Sequence, residues 1–277
     1  MNLFHSASMQ CSNIVTRQYS TSFSSAIKLL DKELQKHICS VYGFVRLADE
    51  IVDTFHEFDK KQLLAEFKKE AYEAIYKGIS LNPIIHSFQI TVNRYNIKPD
   101  LIDAFFYSME CDLEEKVYTT TDYQTYIYGS AEVVGLMCLC VFCNGDEEMY
   151  NKLAPYARSL GAAFQKVNFL RDFKNDYEGL NRVYFPGCDF KTFTAQDKAS
   201  IEKDIQADFD HAYKGILLLP SKARFGVYVA YKYYVSLFKK IRRAEPQLIL
   251  QQRIRIPDYG KIVILAKAGL RMQFNIL

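Results

Sequence analysis

Between residues 41 and 55 the chain wraps Val41, Phe44, Val45, Leu47, Ile51, Val52 and Phe55 around most of a helical cylinder, leaving one narrow polar strip. At about 100° per residue, Tyr42, Arg46, Asp49, Glu50 and Asp53 fall within an arc of about 100°. A solvated helix face normally occupies half the cylinder and is rich in Lys and Glu. This pattern instead predicts a mostly buried helix whose charges need partners or a metal ion. A second stripe lies far downstream, where Gln165, Asn168, Asp172 and Asp176 span about 80° while Val167, Leu170 and Phe173 face elsewhere. Acidic residues four apart are usually just a solvated face, and for either stripe alone that reading weighs as much as function. Two stripes, one set in an apolar cylinder, predict two walls of one site.

Of the 277 residues 49% are hydrophobic, enough for one large core, and no Pro/Gly/Ser-rich linker divides residues 1–277, which are expected to form a single domain. Gly (12) and Pro (7) are sparse and alternating β-branched runs are hard to find, so the fold class expected is all-α, a single helical bundle. Helices are expected at about 9–17, from an Asp31 N-cap to Phe55, and at 60–78, 83–95 and 99–116, with Pro83 and Pro99 in first turns. Others are expected at 122–143, 146–176, 194–218, 220–243 and from 258, with a loop over 178–192. The 122–143 run is nearly as long as a membrane span but is interrupted by Gly129, Ser130, Glu132 and Gly135, so it reads as a core helix.

A net charge of +3, with no Lys/Arg block interleaved with aromatics, argues against a nucleic-acid partner. The first residues lack a basic n-region and an apolar h-region, so no signal peptide is expected and the location expected is cytoplasmic. Seven cysteines, scattered from Cys11 to Cys188, fit reduced thiols. Cys138, Cys140 and Cys143 lack the second pair or nearby His of a zinc site and read as buried small hydrophobes. The basic run Lys239, Lys240, Arg242 and Arg243 reads as a solvated helix end favourable to the helix dipole. The sharper reading is a peripheral patch on an anionic membrane, at its inner face.

Carboxylates are hard oxygen ligands, and Mg²⁺ is typically held by one or two of them plus phosphate oxygens and water. Two facing carboxylate stripes would grip Mg²⁺, or Mn²⁺, that holds a diphosphate, with Arg46, Arg171 and Arg182 closing on other oxygens. The hydroxyl cluster at 19–23 is either a helix cap or a set of phosphate donors. A metal-bound diphosphate is a good leaving group. An allylic cation left behind calls for a dry cavity with aromatic faces, and twenty Phe and twenty Tyr with no Trp are compatible with one.

Asp49-Glu50-Ile51-Val52-Asp53 and Asn168-Phe169-Leu170-Arg171-Asp172-Phe173-Lys174-Asn175-Asp176 resemble the paired aspartate-rich motifs of the squalene and phytoene synthase family. Arg182-Val183-Tyr184-Phe185-Pro186 is similar to its Arg-x-Tyr-x-Pro element, Ser20-Thr21-Ser22-Phe23 to its Ser-x-Ser-Phe, and Tyr128-Gly129-Ser130-Ala131 through Gly135 to its Tyr-Gly-x-Ala-x-x-x-Gly helix. The likeness runs from about residue 11 to 245 in family order. It implies the all-α class I isoprenoid synthase fold, a bundle around a central cavity, and head-to-head condensation of two prenyl diphosphates. By resemblance, Asp49, Asp53, Asp172 and Asp176, supported by Glu50 and Asn168, hold Mg²⁺. Ser20, Ser22, Arg46, Arg171, Arg182 and Tyr184 contact diphosphate, and Tyr42, Tyr128 and Gln165 line the reacting centre. The sequence is nearest to bacterial phytoene synthases, which implies geranylgeranyl diphosphate as substrate, a cyclopropylcarbinyl (prephytoene) diphosphate intermediate, phytoene as product and no NADPH.

The chain departs from the family pattern at Asn181, where many members have Gly, and at Thr21, where some have a basic residue that Arg17 is placed to replace. Residues after Arg243 carry no assignment. Three alternatives stand beside this reading. One is a squalene or dehydrosqualene synthase acting on farnesyl diphosphate, which in the squalene case uses NADPH. Another is a di-metal carboxylate bundle built on Asp53-x-x-His56 and Asp208-x-x-His211. The third is a non-catalytic helical binding protein.

Overall fold

Asp31 accepts the backbone N–H of Glu33 and starts α3 (Lys32–Asp53), the apolar cylinder with the polar strip. The structure is a computed structural model that describes residues 1–113, 119–180, 182, 184–188 and 192–273. Around α3 come α1 (Asn2–Tyr19), α2 (Thr21–Ile27), α4 (Lys60–Lys77), α5 (Pro83–Tyr95) and α6 (Pro99–Cys111). The second half contains α7 (Thr120–Ile127), a π-helical turn (Tyr128–Glu132), α8 (Val133–Cys143), α9 (Glu147–Leu180), α10 (Ala195–Leu218), α11 (Ser221–Arg243), α12 (Pro246–Gln251) and α13 (Asp258–Gln273). The fold is all-α, with no strand among the described residues.

Several boundaries move from those expected, each for a local reason. The Ser/Thr-rich start is helical from Asn2, because Ser8, Ser12 and Thr16 form a buried hydroxyl stripe that packs on α3 and α5, with Ser12 Oγ 2.6 Å from Ser87 Oγ. Ser20 then caps α2, accepting from the Phe23 N–H at 3.2 Å. Helix α6 stops at Cys111, short of the expected 116, and α9 continues to Leu180 beyond the expected end at 176. The short α12 was not expected. The apolar run 120–143 is one continuous path interrupted by the π turn, and although long and apolar enough to cross a membrane, 61% of its most apolar window is buried inside the protein. All seven cysteines are free thiols, and Cys140 and Cys143 are buried in apolar packing.

One apolar cluster joins α3 to α6 and α8 around Phe44, Phe88, Phe105 and Phe106; a second joins α9, α10 and α11 around Leu170, Phe209 and Phe238. A hollow of about 300 Å³ lies where they meet. Its walls come from both clusters: Ile38 and Val41 of α3, Leu160 and Phe164 of α9, Ile216 of α10 and Val227 of α11. Helices can approach this closely only where side chains vanish. A Cβ on Gly161 would sit 2.5 Å from the Ala131 carbonyl oxygen, and one on Gly135 2.8 Å from that of Ala157, so these two glycines bring the π turn and α8 onto α9.

Candidate active site

At the neck of the hollow four rings from four helices meet: Phe23, Tyr42, Phe164 and Tyr234. Phe23 lies 6.0 Å from Tyr42, 5.9 Å from Phe164 and 5.7 Å from Tyr234, and Phe164 stacks on Tyr234 at 3.8 Å between centroids. Burial pushes the Tyr42 phenol up to about 12. A short polar chain crosses the hollow. Tyr234 donates to Asn168 Oδ1 (3.3 Å), Asn168 Nδ2 to Gln165 Oε1 (3.5 Å) and Gln165 Nε2 to Ser130 Oγ (3.4 Å). Tyr42, Gln165 and Asn168 therefore line the cavity, whereas Tyr128 is absent from its lining and lies under the Arg158 guanidinium, 5.2 Å from the ring.

Above the neck the carboxylates gather. On α3, Arg46 donates to Asp49 (2.6 Å) and to Glu50 while its guanidinium lies over the Tyr19 ring. Its Nε is buried with no acceptor. Asp49 and Asp53 are one turn apart on the same strip. Burial, and then the neighbouring Asp53, raise the Asp49 carboxyl to about 7. About a third of the Asp49 side chain stays accessible. On α9, Arg171 forks onto Asp172 (2.5 and 3.1 Å), and burial, then Asp172, then Asp53, raise Asp176 to about 8. Arg182 links the two stripes, meeting Asp53 with its side chain and Asp176 with its backbone N–H.

Arg182 ties the walls together. Its Nη1 donates to Asp53 Oδ1 (2.9 Å) and to the Tyr184 hydroxyl (3.2 Å), while its backbone N–H donates to the Asp176 carbonyl (2.9 Å). Tyr184 stacks on Phe169 of α9 at 4.0 Å and fixes the segment. Asp112, just past α6, completes the anchor: its carbonyl accepts from Arg182 Nη2 (2.6 Å), its carboxylate lies 3.4 Å from Nη1, and Tyr126 donates to it at 2.8 Å. Ser20 and Ser22 lie at the start of α2, with Ser20 the cap and Ser22 half-buried in the first turn. Asn181 and Val183 fall outside the described residues.

Sequence reasoning passed over five of these groups. Asp112 lay inside the expected 99–116 helix among other acidic residues, Phe23 closed the Ser-x-Ser-Phe likeness without a role of its own, and Phe164 and Tyr234 carried no assignment. The fifth is Arg253, on the segment after α12, whose Nε lies 2.6 Å from Asp172 Oδ1. The same C-terminal region supplies Lys261 of α13, which donates to Thr21 Oγ1 at 2.6 Å. Lys261 is thus a cation that the fold brings to Thr21. The signal was the basic series Arg253, Arg255 and Lys261 in a tail with few acidic residues. The rival di-metal pairs are spent elsewhere: Asp208 takes Lys166 (2.7 Å), His211 takes Ser159 (2.8 Å) and His56 is exposed.

The donor set of Asp49, Glu50, Asp53, Asp172 and Asp176 is all hard oxygen. Among the described residues no three acidic, imidazole or thiol groups converge into a closed cage. These carboxylates thus fit a hard cation that draws its remaining oxygens from water and a phosphate ligand, as Mg²⁺ does, and they do not fit a soft thiophilic metal. Asn168 would have to share its carbonyl oxygen with Tyr234 to join them.

The fold matches solved isoprenoid synthases. A dehydrosqualene synthase structure superposes with a TM-score of 0.84 at 19% identity, covering 97% of this chain and 98% of the other. A squalene synthase from Alicyclobacillus acidocaldarius does so with 0.73 at 22%, covering 86% and 94%. In sequence, the chain is 22% identical over 253 residues to 4,4'-diapophytoene synthase of Staphylococcus haemolyticus, covering 84% of this chain and 87% of that protein. It is 25% identical over 258 residues to phytoene synthase of Rhodobacter capsulatus, covering 86% and 74%. The squalene/phytoene synthase family model matches residues 16–259, and the chain belongs to that family, whose members are prenyltransferases acting on prenyl diphosphates.

Proposed function

We propose that the chain joins two prenyl diphosphates head to head in a Mg²⁺-dependent reaction without a reductant, and that geranylgeranyl diphosphate is the substrate and phytoene the product. The observation that carries the reading is the pair of acidic helices facing each other over the neck of an apolar hollow, with Arg182 bridging them. Asp49, Asp53, Asp172 and Asp176, with Glu50 and Asn168 in support, would hold the cation, which neutralises the leaving diphosphate when bound. Arg46, Arg171, Arg182, Tyr184, Ser20 and Ser22 would meet the diphosphate, and to them we add Arg253 and Lys261. The acceptorless Nε of Arg46 is a ready donor for a diphosphate oxygen.

Loss of diphosphate from one substrate leaves an allylic cation, which the other substrate's double bond attacks; proton loss then closes a cyclopropylcarbinyl diphosphate. A second ionisation, rearrangement and proton loss give the hydrocarbon. Phe23, Tyr42, Phe164 and Tyr234 present ring faces to the cations and keep water from them. Depth supports the longer substrate. The lining runs along α9 from Asn168 to Leu153, fifteen residues or about 22 Å at about 1.5 Å each, a length suited to an extended chain of four isoprene units.

The test is incubation of the full chain with C15 and C20 diphosphates and Mg²⁺, with and without NADPH, followed by identification of the hydrocarbon. Phytoene from the C20 substrate without NADPH is expected. Dehydrosqualene from the C15 substrate alone would keep the reaction and overturn the chain length. Squalene formed only with NADPH would overturn the non-reductive course, and no hydrocarbon at all would overturn the enzyme.

A further inference from the structure

Helix α13 carries two apolar faces, and among the described residues only one is packed against the rest of the protein. Ala268 is buried, with Ile264 and Leu265 packed beside it against the second core cluster. On the opposite side, at about 100° per residue, Tyr259, Ile262, Val263, Ala266 and Leu270 fall within an arc of about 100° centred roughly half a turn from Ala268. Tyr259, Ile262 and Leu270 are 74%, 68% and 56% exposed. Scattered exposed apolar residues need no explanation, but a continuous helical stripe of them marks an interaction surface.

Charge selects the occupant. Lys267 and Arg271 are exposed along one edge of the stripe, and residues 259–277 contain no acidic residue. The basic end of α11 lies beside the approach to α13, since Lys240 donates to the Arg255 carbonyl at 2.7 Å and α11 packs on α13. The run Lys239 to Arg243 is not itself the patch. Arg242 is engaged by Gln206 (3.3 Å) and by Glu202 (3.9 Å), and no exposed apolar stripe accompanies it.

We propose that α13 is an interfacial helix that rests on an anionic lipid bilayer, with Tyr259, Ile262, Val263 and Leu270 in the headgroup boundary and Lys267 and Arg271 on the lipid charges. The inference stands on this surface and does not depend on which prenyl chain the hollow takes. Lys261, on the same helix, contacts Thr21 beside the site, so the seated helix would place the neck next to the bilayer.

The experiment is flotation of the full chain with vesicles of phosphatidylcholine alone or with one-third phosphatidylglycerol, at low and high salt, alongside size measurement in solution. Binding to the anionic vesicles that weakens with salt is expected. Ile262→Asp with Leu270→Asp should lower partitioning at least about tenfold. Lys267→Glu with Arg271→Glu should lower it at least about 25-fold, from about fivefold per charge. Both variants alter exposed side chains, and unchanged helical CD and unchanged turnover of detergent-dispersed substrate would show the fold and site intact. Equal flotation of the variants, equal binding to neutral vesicles, or no flotation would overturn the proposal. So would a wild-type dimer that Ile262→Asp with Leu270→Asp converts to monomer, which would assign the stripe to a second copy.

Discussion

Arg182 holds three partners on three different segments, and Asp112 is the one that the sequence hid. The acidic stripes were legible because period-3.6 spacing exposes any face that stays polar. Asp112 stands among Glu110, Glu114 and Glu115 with nothing in the spacing to single it out, and only the fold brings it from the end of α6 to Arg182. Above its raised pKa of about 7, Asp112 is a buried charge partner of a guanidinium that keeps Asp53, so at pH 8 Asp112→Asn should cost about 1–3 kcal/mol in denaturant unfolding. It should also weaken catalysis by misplacing Arg182 while leaving every carboxylate of the two stripes in place. A sharper loss belongs to the stripes. Asp53→Ala or Asp172→Ala should cut product formation on the order of 10³-fold, equivalent to about 4 kcal/mol of barrier, with the helical CD spectrum unchanged. Wild-type turnover in either would remove the assignment.

Among the elements, helix centres were readable and their ends less so. Apolar periodicity gave α3 to α6 and α9 to α11, because each buries one broad stripe, and Asp31, Pro83 and Pro99 marked true starts. The π turn at Tyr128–Glu132 was not legible: it depends on Gly129 meeting the Ala104 carbonyl, where a Cβ would come within 2.3 Å. It also explains why Tyr128 lies outside the hollow while Ser130 and Ala131 line it, since one extra residue in a turn rotates the side chains beyond it about the helix axis. Two glycines give a paired test of what closes the cavity wall. Gly161→Ala drives a methyl into backbone that cannot yield and should cost about 1–3 kcal/mol or more by overpacking, with loss of activity. Gly78→Ala, at a left-handed φ of 73° with nothing within 4 Å, should cost about 1 kcal/mol from strain alone and leave activity intact. Thermal unfolding of the two variants beside wild type checks the order.

For the molecule as a whole, the carboxylates gathered between its two core clusters set how stability responds to pH. Burial raises Asp49 and Asp112 to about 7 and Asp176 to about 8, whereas all three ionise near 4 once the chain unfolds. From about pH 4 to 8 the folded state therefore holds protons that the unfolded state has lost. Their stabilisation is complete at the acid end and drains away as pH rises. Asp49, about a third of whose side chain stays accessible, contributes less than its shift suggests. His37 acts in the opposite sense. Burial lowers it to about 4, so its contribution is present above pH 6.5 and is lost only as pH falls from there. Well above pH 6.5 it is neutral in both states, and the buried carboxylates are joined by Cys138, Cys140 and Cys143, whose thiols burial pushes up to about 12, 11 and 12, so that towards pH 8.5 they too hold protons that the unfolded chain loses. The metal-free protein should thus lose melting temperature between pH 6.5 and 8.5, by about 2–4 °C for each kcal/mol surrendered. Mg²⁺ with inorganic pyrophosphate favours the ionised carboxylates and should flatten that decline, giving a larger thermal shift at pH 8.5 than at 6.5. Asp176→Asn should flatten the metal-free slope and shrink the Mg²⁺ response together. If Mg²⁺ with pyrophosphate shifted melting equally at both pH values, these carboxylates would not be where the cation sits.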